Sequence, residues 1–66
     1  MLTQLELARR RKGMTTREVA DVAGCSHATV SAVELGKWQP TEETAQALAR
    51  AVGIDGRSWR SLQKPG

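Results

Sequence analysis

Apolar residues recur along the chain at intervals of three and four. Leu5 and Ala8 form one set, Val19, Val22 and Ala23 a second, Val30 and Val33 a third, and Ala45, Leu48, Ala49 and Val52 a fourth. That is the spacing of one face of an α-helix, in which 3.6 residues complete a turn. No stretch alternates with period two for long enough to make a strand. The polar positions between the sets mark starts and stops. Thr3-Gln4-Leu5-Glu6 and Thr15-Thr16-Arg17-Glu18 read as capping boxes, in which a Thr hydroxyl and a Glu carboxylate each satisfy an orphan backbone N–H. Ser26 is placed to cap a third helix. Thr41, just after Pro40, is placed to cap a fourth, with Glu42 and Glu43 in the first turn where the helix dipole favours them. Gly13, Gly24, Gly36 and Gly53 follow the apolar sets as stops. The pattern predicts helices over about 3–12, 16–23, 27–35, 42–52 and 57–62, an all-α bundle of about five short helices.

Length and composition narrow the function rather than the fold. Sixty-six residues allow one domain, 1–66, with the tail Leu62-Gln63-Lys64-Pro65-Gly66 reading as frayed from about residue 63. The core is built without Phe or Tyr, so it rests on Leu, Val, Ala, Ile, Met and two Trp. A net charge of +3 and a pI near 9.8 favour anionic partners. A membrane is not the expected one, because no uncharged run approaches the roughly 18 apolar residues of a span. The N-terminus also places its charge after its apolar residues, the reverse of a secretory signal. One Cys and one His leave no internal disulfide and no structural zinc site. No cofactor and no small-molecule ligand is indicated, and a reducing, cytoplasmic setting is expected.

Between the second and third helices there is room only for Gly24-Cys25-Ser26. A turn of three to four residues containing Gly, between two short helices, is the signature of the helix-turn-helix. Ala20 is small where the third helix must cross close over the second, and Gly24 can take the left-handed conformation that ends a helix abruptly. Val30 and Val33 point back into the core. The twelve residues from Val22 to Val33 nevertheless carry no acid, no Lys and no Arg, and six of them are Ala, Ser or Gly.

The sequence resembles the Cro/repressor-type, or XRE-like, helix-turn-helix proteins from about Leu5 to Ile54. The resemblance is carried by ARRRKGMTTREVA, AGCSHATVSAVELGKWQP and TEETAQALARAVGI. It implies a lambda-repressor-like bundle whose third helix lies in the DNA major groove. His27, Ala28, Thr29, Ser31 and Ala32 match the exposed, base-reading face of that helix. His27 would donate to guanine, Thr29 and Ser31 would serve donor or acceptor edges, and Ala28 and Ala32 would pack on thymine methyls. The bland alternative is a solvated face of small residues. Members of the family often place Arg, Lys, Gln or Asn here and this chain has none, so its sequence preference would be weak, or set by methyl contacts and DNA shape.

The resemblance also assigns contacts to phosphate. Thr16 and Arg17 sit at the start of the second helix, where free N–H groups suit an anion. Ser26 and the loop residues Lys37, Trp38 and Gln39 complete the set, Trp38 being also a candidate to fold over the core. Arg9 and Glu34 match a partly buried ion pair tying the first helix to the third. Arg9-Arg10-Arg11-Lys12 is otherwise a helix end whose charge suits the dipole, with one or two members within reach of phosphate. Cys25 and Met14 read as core. Trp59 and Leu62 either close the bottom of the bundle or form a dimer surface.

The leading function is therefore a sequence-specific, double-stranded DNA-binding transcriptional regulator, a small repressor of phage or bacterial type. Its partners would be an operator and, as the resemblance implies, a second copy on the DNA. The alternative keeps the fold as a protein-interaction module without base reading, favoured by the neutral third helix and an exposed Trp59. An enzyme is the weakest reading. His27 and Ser31 share a helix face, but no carboxylate is placed to orient the His and no glycine-rich phosphate loop is present.

Overall fold

Four hydroxyl side chains start four helices. In the computed structural model, which describes residues 2–64, α1 spans Gln4–Arg11, α2 Thr16–Ala23, α3 His27–Glu34 and α4 Glu42–Ala51. Thr3, Thr15, Ser26 and Thr41 are their N-caps, each accepting a backbone N–H three residues on. The Thr15–Glu18 box is complete in both directions. The Thr3–Glu6 box forms only by half, because Glu6 turns its carboxylate to Arg10, with Nη2–Oε2 at 2.6 Å.

The fifth expected helix is a 3-10 helix, Gly56–Ser61. Gly56, Ser58 and Ser61 lend it little intrinsic helix support. Asp55 draws in the Arg57 N–H at 3.0 Å, and Ser58 leaves helical dihedrals at φ −95°, ψ 15°. A tighter, irregular turn is the result.

Leu5, Val19, Val30, Val33, Leu48 and Leu62 form the fully buried centre, with Ala20, Ala45 and Ala49 filling the gaps between helices. The small residues let α2 pack against both α3 and α4, while α4 also carries the 3-10 helix. Val22 departs from the expected inner face and is 66% exposed. The buried side of α2 centres on Val19, Ala20 and Ala23, and at 3.6 residues per turn Val22 lies about 105° round from that centre.

The C-terminal segment also differs from the expected fraying tail. Leu62 is buried, and its carbonyl accepts the Leu5 N–H at 3.0 Å while that of Lys64 accepts the Gln4 N–H at 2.8 Å. Two of the orphan donors at the start of α1 are thereby satisfied by the other end of the chain. Pro65 and Gly66, the rest of that tail, lie outside the described residues. Trp59, expected exposed in the interaction-module reading, packs half-buried against the core with the Arg60 guanidinium 5.3 Å from its ring centre.

Candidate nucleic-acid interface

The turn between α2 and α3 is built by Gly24. At φ +76° it reverses the chain so that its own N–H and that of Cys25 both donate to the Ala20 carbonyl, at 2.8 and 3.0 Å. Ser26 then restarts helix. Its Oγ accepts the Thr29 N–H at 3.2 Å and lies 2.9 Å from the Thr29 hydroxyl. Val30, Val33 and Glu34 bury one side of α3. His27, Ala28 and Ser31 are exposed on the other, with Thr29 and Ala32 half-buried at its margins. The Thr29 hydroxyl is engaged in the cap, so its face is the least free of the five.

Two short helices joined by a glycine turn, the second with one anchored and one free face, have the geometry of a helix-turn-helix. A family model for the helix-turn-helix domain matches residues 2–61. The chain belongs to the helix-turn-helix family. Two relatives agree. One, from Methanothermobacter thermautotrophicus, is an uncharacterised HTH-type transcriptional regulator, 34% identical over 53 residues that make up 80% of this chain and 77% of its own. The other, the uncharacterised HTH-type transcriptional regulator y4dJ of Sinorhizobium fredii, is 41% identical over 46 residues, 70% of this chain and 60% of its own. No solved structure gives a significant match.

In this helix-turn-helix domain the bottom of α3 is locked to α1. Arg9 Nε lies 2.6 Å from Glu34 Oε2 and Nη2 3.2 Å from Oε1, while Nη1 donates to the Met14 carbonyl at 2.9 Å. The two side chains are 15% and 5% exposed. The hydrogen bond to Glu34 raises the Arg9 pKa against the opposing effect of burial. Arg9 is thus spent inside the protein. Arg10 is paired with Glu6, and Arg11 and Lys12 remain as the exposed cations of this helix end.

Thr16 and Arg17 stand in the first turn of α2, Thr16 half-buried and Arg17 exposed. The capping box occupies the N–H groups of Thr15 and Glu18. Those of Thr16 and Arg17 are first-turn donors with no acceptor inside the helix. Beyond α3, Gly36 at φ +69° turns the chain, its N–H donating to Val33 and that of Lys37 to Ala32, at 3.1 and 2.9 Å. These two main-chain donors are therefore consumed by the helix end, and the cationic reach of the loop belongs to the Lys37 side chain.

Trp38 does not fold over the core. It is 46% exposed, while Trp59 packs against the core. Lys37 and Gln39 beside it are exposed as well. Loop and α3 N-terminus stand at opposite ends of an eight-residue helix, about 12 Å long. Gln63 reaches this loop from the C-terminal segment, its Nε2 donating to the carbonyls of Trp38 at 2.7 Å and Val33 at 3.3 Å. Nothing in the local sequence around Gln63 signals that contact. Cys25, between Gly24 and Ser26, packs against the core, and burial pushes its thiol pKa up. Among the described residues no helix is long and apolar enough to cross a membrane.

Proposed function

We propose that the chain is a DNA-binding transcriptional regulator of the small repressor type, laying α3 in the major groove of double-stranded DNA. The observation that carries this is the two-sidedness of α3: Val30, Val33 and Glu34 anchor it while His27, Ala28 and Ser31 face outward, with no Lys, Arg, Asp or Glu among them. A helix fixed on one side and smooth on the other can approach base edges closely. The names of both relatives, HTH-type transcriptional regulators, support the same reading.

In it, His27 and Ala28 make the principal base contacts, with Ser31, Ala32 and Thr29 at the margin of the groove. Lys37 and Arg17 neutralise phosphates, assisted by Thr16, Ser26, Trp38 and Gln39. Charge attracts and orients, and the neutral face reads. A second copy would occupy a related half-site about 34 Å away, one turn of the duplex.

The test is selection from randomised duplexes followed by fluorescence anisotropy over a salt series. The expected result is a two-fold-related site bound at least ~10³-fold above random DNA, with affinity falling steeply as salt rises. His27→Ala should cost roughly 1–3 kcal/mol and relax the preference at one position, whereas Lys37→Ala should weaken all sequences alike. Weak binding that is equal for every sequence and insensitive to salt would overturn the proposal.

A further inference from the structure

We infer that Gln63 is a positioning residue for DNA binding, holding the Lys37–Gln39 loop in place from the far end of the chain. The inference rests on the DNA-binding reading above and adds to it a residue with no place in the helix-turn-helix itself. Three observations carry it. The Gln63 amide nitrogen donates to the carbonyls of Trp38 and Val33, across separations of 25 and 30 residues. Both partners are carbonyls, which can only accept, so the amide orientation is chemically determined. The segment that bears Gln63 is itself held, by burial of Leu62 on one side and by the Lys64 carbonyl accepting the Gln4 N–H on the other.

The loop needs such a tether. Gly36 ends α3 in a left-handed turn, and Lys37, Trp38 and Gln39 are all exposed. Trp38 and Gln39 form an exposed link between the end of α3 and the Thr41 cap of α4, and a phosphate contact made through an exposed link must first overcome its freedom. Gln63 clamps the loop at Trp38 and at the last turn of α3, the two points that flank Lys37. The Lys37 side chain then extends from a loop fixed at both ends.

Gln63→Ala removes both hydrogen bonds, and Gln63→Glu keeps the shape while setting a carboxylate with no proton to donate against two carbonyls. In the free protein, hydrogen exchange of the Lys37 amide, which the Ala32 carbonyl protects, should accelerate in both variants while that of α2 and α4 stays unchanged. On DNA, Gln63→Ala should weaken binding by about three- to tenfold and flatten the salt dependence by about 0.9 in log–log slope, the equivalent of one phosphate contact. A role in stability alone would shift the unfolding midpoint and leave that slope unchanged. In a Lys37→Ala background the loss from Gln63→Ala should vanish, because both act through the same contact. Unchanged exchange in the loop, or an undiminished slope in a Gln63→Ala protein whose parent binds DNA with normal salt dependence, overturns the role of Gln63 and leaves the DNA-binding reading intact. A parent protein with no salt-dependent DNA binding overturns both.

Discussion

Arg9 shows how one residue can be removed from the pool of charges that a sequence offers to a ligand. It lies in a run of four cations, yet its guanidinium grips Glu34 through two bonds and Met14 through a third. Truncating either partner strands a mostly buried charge, so Arg9→Ala or Glu34→Ala should each cost roughly 3–5 kcal/mol by urea unfolding. Replacing both with apolar residues of similar size should cost much less. Folding raises the Arg9 pKa, so its contribution is complete below the ordinary guanidinium value and is lost only as pH rises through the higher folded one. Variation of pH across the neutral and mildly alkaline range should therefore leave the Arg9 contribution flat. Cys25 titrates in the opposite setting. Burial raises its pKa, which lowers the thiolate fraction at neutral pH. Alkylation by iodoacetamide at pH 7.5 should run slower than that of free glutathione and recover the ordinary rate in denaturant; a rate above glutathione in the folded protein would refute this.

At the scale of the element, each helix is defined by a cap that is local in sequence. The Ser26 hydroxyl and the Gly24 turn together set the start of α3, the element on which the proposed base reading rests. Gly24→Ala meets no neighbour within 4 Å, so space is not its problem. The left-handed backbone at φ +76° is, and a β-carbon there should cost about 1–2 kcal/mol in unfolding free energy. Gly24→Asn, which tolerates that conformation better, should recover part of the loss. Equal stabilities for the Ala and Asn variants would refute the backbone explanation. The same locality made the four caps and the four α-helices readable in advance, and it explains the failure at the fifth. The fifth segment has a cap in Asp55, but Gly56, Ser58 and Ser61 give it little helix support, and it settles as a 3-10 turn.

The whole molecule is closed by its C-terminal segment. Leu62 fills the base of the core, its carbonyl helps begin α1, and Gln63 reaches the loop after α3. Leu62→Ala should therefore cost about 2–5 kcal/mol, at the upper end because the site lies between several elements that cannot all collapse into it. In a domain of 66 residues that is a large share of the total, and thermal melting should show a partly unfolded population at 37 °C. A loss below about 1 kcal/mol would place Leu62 outside the cooperative core.

The sequence by itself determined the helix starts, the glycine stops, the single glycine turn between α2 and α3, and most of the buried face. All of these are relations between residues two to four apart, where helical geometry fixes who meets whom. It also carried the resemblance that named His27, Ala28 and Lys37 as candidates. Tertiary structure alone decided the rest. Val22 points outward although its spacing fits an inner face, because the edge of a buried stripe depends on which neighbours cover it. Trp38 is exposed and Trp59 half-buried, a division between two like residues that depends on which elements pack around each. Gln63 and Lys64 are bonded rather than frayed because their partners lie 25 to 60 residues away in the chain, Gln63 with Val33 and Trp38, Lys64 with Gln4. Periodicity carries no information about pairings at such separation; only the packed chain brings those atoms within hydrogen-bond distance.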